Sequence, residues 1–427
     1  MVFNLFRNLM FKSLVNKNSI VYLMNDPGTP NIKKVIPVPD MLSPPYKVKG
    51  YTGGGHELNT TGGRAAQTFA TITETLKWVQ KHAPKPLPRW ATGLPLVVDP
   101  EAGQDLNAYY YRKGMKFFYS GNVYTSLSSD VVAHELGHAV FDSFRPDTWN
   151  VTSLELWSFH EAFADIVAIL TTLQHKEVID LMLRFQYLRK DNLASRVGEQ
   201  IGKAIYNINK GEDGRKSTHL RNASEKFEYV NPNSLTKRGK HDTIHAESHS
   251  FGRIMLGALY TIWYRMYEEN VLRGLKQHHA LEVSRDLFSK YLLVAITAVP
   301  KTPRFFRSFA NTLMWVARKN DPINHKIMLD VFTEWKIVKV NEVWGMRIQS
   351  MPTDGVEVIK LSDEIEIGTL SHNPLYEIDI EIPANNREDG LADAKLCLDL
   401  LHQSNSVGND ESTPFEIQDN KLIRTHI

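Results

Sequence analysis

Three side chains within five residues are of the types that together hold and use a metal ion. The stretch Asp130-Val131-Val132-Ala133-His134-Glu135-Leu136-Gly137-His138-Ala139-Val140 sets two histidines four apart in a helix-compatible context. Four residues of α-helix turn by about 400°, so His134 and His138 leave one face a single turn apart. Two imidazoles so placed can reach one Zn²⁺ at about 2.0–2.1 Å. Glu135, rotated about 100° from His134, can stand beside the ion without ligating it and take a proton from a water that the ion acidifies. The bland alternative is two solvent-facing histidines. With 16 histidines in 427 residues, a His-Glu-x-x-His string arises by accident in roughly three or four of a hundred such chains, so a third ligand has to be found.

A catalytic zinc takes three protein ligands and keeps a fourth position open. The downstream stretch Ser158-Phe159-His160-Glu161-Ala162-Phe163-Ala164-Asp165-Ile166 again sets two chemical side chains four apart. Glu161 can complete the ligand set. Asp165, one turn along, can accept the second ring N–H of a liganding histidine, which fixes its tautomer. An ordinary solvated acidic face is the alternative. However, Phe159, Ala162, Phe163, Ala164, Ile166 and Val167 make this helix apolar almost all round, and acids inside a buried helix require partners.

Asp-Val-Val-x-His-Glu-Leu-x-His-Ala-Val followed by Glu-Ala-x-x-Asp resembles the thermolysin-like (gluzincin) family of zinc metallopeptidases, over roughly residues 50–337. The resemblance implies zinc ligation by His134, His138 and Glu161, one Zn²⁺ per chain, Glu135 as general base, and Asp165 bonded to the His134 ring. It implies hydrolysis of internal bonds in a peptide or protein substrate. Asn107-Ala108-Tyr109-Tyr110 is similar to the family's edge strand, where Asn107 and Ala108 would pair with extended substrate; a plain structural hairpin is the alternative. His249-Ser250-Phe251-Gly252 is similar to the segment whose histidine stabilises the oxyanion, with His245 as rival for that role. Arg221 matches the family arginine that contacts the substrate carbonyl.

The chain also departs from the family pattern. The spacing from His138 to Glu161 is slightly long. Residues 139–160 contain no tyrosine to assist the oxyanion, and His160 replaces the usual asparagine before Glu161. Asp130 matches a calcium ligand, but only Glu177 and Asp180 follow as acids to join it, which leaves Ca²⁺ doubtful. Rival readings are a zinc aminopeptidase, for which no acidic, Gly-rich amine pocket is found, and a metal-holding binding protein that does not cleave, against which Glu135 speaks. A structural zinc domain would need His160 as fourth ligand.

The elements that must position these residues follow from apolar periodicity. Ala65 to His82 is helical, with Phe69, Ile72, Leu76 and Val79 at spacings of three and four, ended by Pro84, Pro86 and Pro88. Residues 94–98 and 107–124 read as β-structure. Helices are expected over 129–144, 153–171, 176–189, 248–268, 279–298, 303–318 and 325–335, with a polar surface excursion over 208–244. Beyond 338, alternation over 356–361, 365–367 and 376–382 predicts antiparallel strands with one wet face. The expected fold is α+β, of the zincin type. A β-rich N-terminal lobe and a helical C-terminal lobe flank the active-site helix, and a small β-rich appendage follows. The expected division is a leader and Pro-rich linker over 1–49, the peptidase over 50–337, and the appendage over 338–427.

Composition excludes some classes. The net charge of +2, from 50 basic and 48 acidic side chains, gives no nucleic-acid footprint. The lone Cys397 allows neither an internal disulfide nor a multi-cysteine zinc site, and its apolar neighbours read as a buried thiol. No apolar run of about 18 residues predicts an integral membrane segment. Met1 to Met24 is basic, but its longest apolar run, Ile20 to Met24, is short for a secretion signal. A degenerate signal, a targeting segment, an interfacial helix and a plain leader all remain open. The family resemblance points to secretion and the poor signal to the cytoplasm.

Overall fold

The computed structural model describes residues 16–29, 32–87, 89–149, 151, 153–185, 188–212, 219–318 and 321–339, with four further strands beyond residue 350. Residues 1–15, the run 365–367 and Cys397 lie outside the described residues. About half of the continuous part is helical, with small sheets. Packing divides the chain into two compact units. One comprises residues 1–143 and 164–222, the other 144–163 and 223–426.

In the first unit β1 (Ser19–Leu23) and β2 (Lys33–Pro37) form an antiparallel hairpin. The strand β1 falls within the stretch that patterning reads as leader and linker, yet all five of its side chains are buried. The amide side chain of Gln67 brackets Leu23, accepting from its N–H and donating to its C=O, both at 2.9 Å. Next come β3 (Tyr46–Val48), α1 (Thr61–His82), β4 (Leu96–Asp99), β5 (Ala108–Tyr110) and β6 (Gly114–Phe117). Helix α1 starts where the Thr60 side chain accepts from the Gly63 N–H, and ends with Lys81 and His82 in its last turn. Its inward face carries the predicted Phe69, Ile72, Leu76 and Val79. The sheet order is β3-β4-β6-β5, parallel except for the antiparallel β5–β6 pair, so β5 is an edge strand.

A two-strand ribbon, β7 (Tyr119–Ser120) and β8 (Val123–Tyr124), leads into α2 (Ser129–Phe144). Helix α3 (Leu154–Thr172) contributes residues to both units and is buried along its whole length. That is the expected consequence of apolar residues on every face. A Cβ at Gly137 would stand 2.8 Å from the Ala164 Cα, so glycine there lets α2 lie directly against α3. Then follow α4 (Lys176–Phe185), β9 (Arg196–Val197), α5 (Glu199–Asn209) and β10 (Arg221–Asn222), which pairs with β9. Helix α5 is not among the helices expected from the sequence. Its Ile201, Ile205 and Ile208 do fall at helical spacings of four and three, but only Glu199, Ile201 and Gly202 of it are buried and Ile208 is exposed.

The second unit is helical: α6 (Ser248–Leu272), α7 (Gln277–Ala298), α8 (Phe305–Arg318) and α9 (Pro322–Glu334). Phe159 of α3 packs its ring against Phe305 and Phe309. Beyond it, β11 (Val356–Lys360) pairs with β12 (Asp379–Pro383), and β13 (Phe415–Gln418) with β14 (Lys421–Arg424), both antiparallel. Among the described residues no single helix is long and apolar enough to cross a membrane.

Candidate metal centre

Helix α2 carries His134, Glu135 and His138, each at most 1% exposed. The one-turn spacing brings the two Nε2 atoms to 3.1 Å, with the rings edge to face. Two ligands on a tetrahedral zinc at about 2.0–2.1 Å stand about 3.3 Å apart, so this separation suits a shared ion.

The other side of the His134 ring fixes its tautomer. Its Nδ1 lies 2.8 Å from Asp165 Oδ1. A carboxylate accepts there, so Nδ1 carries the proton and Nε2 presents its lone pair. Asp165 is held in turn by Arg221, whose Nε and Nη2 donate to its two oxygens at 2.5 and 2.8 Å. Burial raises the Asp165 carboxyl, but Arg221 first and His134 next outweigh it, and its pKa falls below the usual carboxylate range. The charge that orients His134 is therefore permanent at neutral pH. Arg221, matched by resemblance to a substrate contact, is buried and commits two nitrogens to this pair.

Glu161 sits one turn before Asp165 on α3. His134, His138 and Glu161 each offer a ligand atom within 4.8 Å of the others, and all three are buried. His160, the sequence candidate for a fourth protein ligand, is buried but outside that group. The donor set fits a zinc-like ion: two imidazole nitrogens and one carboxylate oxygen, three ligands in all.

At the start of α6, His249 lies with Nε2 3.5 Å from Glu161 Oε2. A Cβ at Gly252 would stand 2.7 Å from the Ser158 carbonyl oxygen and 3.3 Å from the Glu161 Cβ, so glycine permits this approach. Glu247 caps the helix and binds the His249 ring at Nδ1, 2.6 Å away. The rival His245 is turned elsewhere, its Nδ1 3.1 Å from the Ser250 hydroxyl. No feature of the sequence reading pointed to Glu247; its place two residues before His249, at a predicted helix start, was the available signal.

Asn107 immediately precedes the edge strand β5, and Ala108 opens it. The Asn107 backbone oxygen accepts from the Phe118 N–H and the Thr125 hydroxyl, while its side-chain Oδ1 is buried with no hydrogen-bond partner.

The acids around Asp130 differ from expectation. Glu177 pairs with Lys34 and Asp180 with Lys176, both at the surface. Asp130 instead stands with Asp26 and Glu199, three buried carboxylates whose oxygens lie within 4.8 Å of one another. Sequence distance hides this group, because Asp26 comes from the β1–β2 turn and Glu199 from α5. Asp26 Oδ2 and both Glu199 oxygens are buried without hydrogen-bond partners. Burial, then the neighbouring Asp130, pushes Asp26 up to about 7, and the same causes raise Glu199 well above the carboxylate range.

No protein-family model matches the chain, and no curated protein matches it. Among solved structures, it is similar to the precursor of protealysin, a metalloproteinase from Serratia proteamaculans. The identity is 14%, the match covers 75% of this chain and 87% of that one, and the TM-score is 0.44. A likeness this distant says nothing of activity, which has to be read from the residues of the site.

Proposed function

We propose that the protein is a zinc-dependent metalloendopeptidase in which His134, His138 and Glu161 hold the ion and Glu135 is the general base. The observation that carries this reading is the buried His-His-Glu group with a second buried acid, Glu135, beside the two histidines on α2. A bound zinc supplies Lewis acidity toward a water molecule and a carbonyl oxygen. Glu135 takes a proton from the attacking water and returns it to the leaving amine. His249, near Glu161, donates to the oxygen of the scissile carbonyl as negative charge develops there. The free edge of strand β5, which Asn107 precedes and Ala108 opens, offers an extended peptide main-chain partners. Such an edge takes substrate without requiring a free terminus, which favours internal cleavage over the aminopeptidase alternative. A pure binding or structural role gives Glu135 no chemical task.

The test is zinc content by elemental analysis for wild type and Glu161→Ala, with cleavage of an N-blocked internally quenched peptide, with and without chelator. The expected result is about one zinc per chain, lost or weakened in the variant, and chelator-sensitive cleavage. Zinc without cleavage leaves a metal-holding protein, cleavage only of unblocked peptides an aminopeptidase, and absence of zinc removes the reading altogether.

A further inference from the structure

The four-stranded sheet of the first unit turns one face to the core and the other outward. Ala108, Tyr110, Met115 and Phe117 are fully buried on the core side. Successive side chains of a strand leave opposite faces. Tyr109 and Lys116, directly across from one another in the β5–β6 register, therefore stand on the outer side. Tyr111, just past β5, joins them there. The Lys116 Nζ lies 5.5 Å from the ring centroid of Tyr109 and 5.5 Å from that of Tyr111, and the two rings meet edge to face at 6.0 Å. Both distances are within the range over which an aromatic ring attracts a cation. The ammonium is thus drawn from β6, where Lys116 is rooted, toward β5, the edge strand. Asp99, the neighbour of Lys116 on β4, is bound to Lys49 at 2.6 Å. Lys47 stands on the same side and is exposed, so lysines outnumber acids on this part of the sheet.

We propose that Lys116 makes the protein select substrates with an acidic side chain, at the position that pairs with Tyr109. The inference rests on the peptidase reading above, with β5 as the edge that takes substrate. A peptide added to that edge continues the sheet, and its residues alternate in step with those of β5. The residue opposite Tyr109 puts its side chain on the outer face, beside the tyrosine rings and within reach of the ammonium drawn over them. A Glu or Asp there gains a charge-assisted contact with a cation that the two rings partly shield from water. A Lys there meets like charge. A lysine whose only role is to cover the rings with its stem draws no such distinction among substrates, so charge preference separates the two roles.

The test uses N-blocked, internally quenched peptides in which Glu, Gln or Lys is placed in turn at each position on both sides of the cleaved bond. Wild type, Lys116→Met and Lys116→Glu are compared by kcat/KM, with zinc content and melting temperature as checks on folding. Lys116→Met keeps a stem over the rings and removes the charge; Lys116→Glu reverses it. The expected result is one position at which wild type favours Glu over Lys by about 5- to 20-fold, a preference that shrinks in about 0.5 M salt. Lys116→Met reduces it to near parity, and Lys116→Glu inverts it in favour of Lys. The Met variant decides alone where the Glu variant does not fold. Cleavage indifferent to charge at every position, or a preference for Glu that survives in Lys116→Met, overturns the inference while leaving the peptidase reading intact. A wild type that cleaves none of the peptides overturns that reading, and this inference falls with it.

Discussion

At the residue scale, the site is a chain of charges that fixes one imidazole face. Arg221 holds Asp165, Asp165 holds Nδ1 of His134, and His134 turns Nε2 toward His138. Replacing Asp165 by Asn keeps the size but removes the charge and permits the wrong tautomer. Zinc affinity is expected to fall by about 10- to 100-fold, read by competition with a chelator of known strength. Glu135→Gln is expected to keep full zinc content and lower kcat by about 10²–10⁴-fold, the usual worth of a positioned general base. Peptide turnover at the wild-type rate in that variant removes Glu135 from the chemistry.

At the scale of elements, Asp26, Asp130 and Glu199 join the β1–β2 turn, the first turn of α2 and the start of α5. Asp130 also accepts the Gly198 N–H at 2.7 Å, and Asp26 accepts the N–H of Gly28 and of Gln200. The folded carboxyls hold their protons more tightly than an unfolded chain does. Their contribution is therefore fully present below about pH 4, the unfolded range, and is lost as pH rises through about 7, the folded value for Asp26. A hard divalent cation, which prefers oxygen ligands, offsets that loss by replacing the protons. With chelator present, the part of the melting temperature owed to this group is expected to fall between these limits. Added Ca²⁺ at pH 8 is expected to raise it, and Asp26→Asn to weaken both responses. A melting temperature at pH 8 indifferent to Ca²⁺ argues that no cation sits there.

At the scale of the molecule, the N-terminal hairpin belongs to the core of its unit. Ile20 to Met24 are buried, Gln67 brackets Leu23, and the hydroxyl of Ser129, the first residue of α2, donates to the Leu23 carbonyl. Removing 1–37 strips β1 from α1 and α2, takes the Leu23 N–H from the buried Gln67 amide oxygen, and is expected to yield insoluble or zinc-poor protein. A soluble, zinc-replete truncation at residue 38 shows the hairpin to be dispensable.

The sequence by itself determined which chemical side chains share a helix face on α2 and on α3, and most helix positions. Each is set by a local period: His134 and His138 one turn apart, Glu161 and Asp165 one turn apart, apolar side chains on every side of α3. Tertiary structure alone decided what has no local period. Arg221 meets Asp165 across 56 residues. Asp130 finds Asp26 and Glu199 rather than Glu177 and Asp180, and an apolar run that reads as leader becomes buried strand because Gln67 and Ser129 satisfy its backbone. His249 rather than His245 stands near Glu161, and Glu247 binds its ring from the cap position of the helix that begins at Ser248. Spacing along a helix is written in the chain, whereas pairing between distant segments is settled by which buried charges and backbone groups must find each other when the core closes.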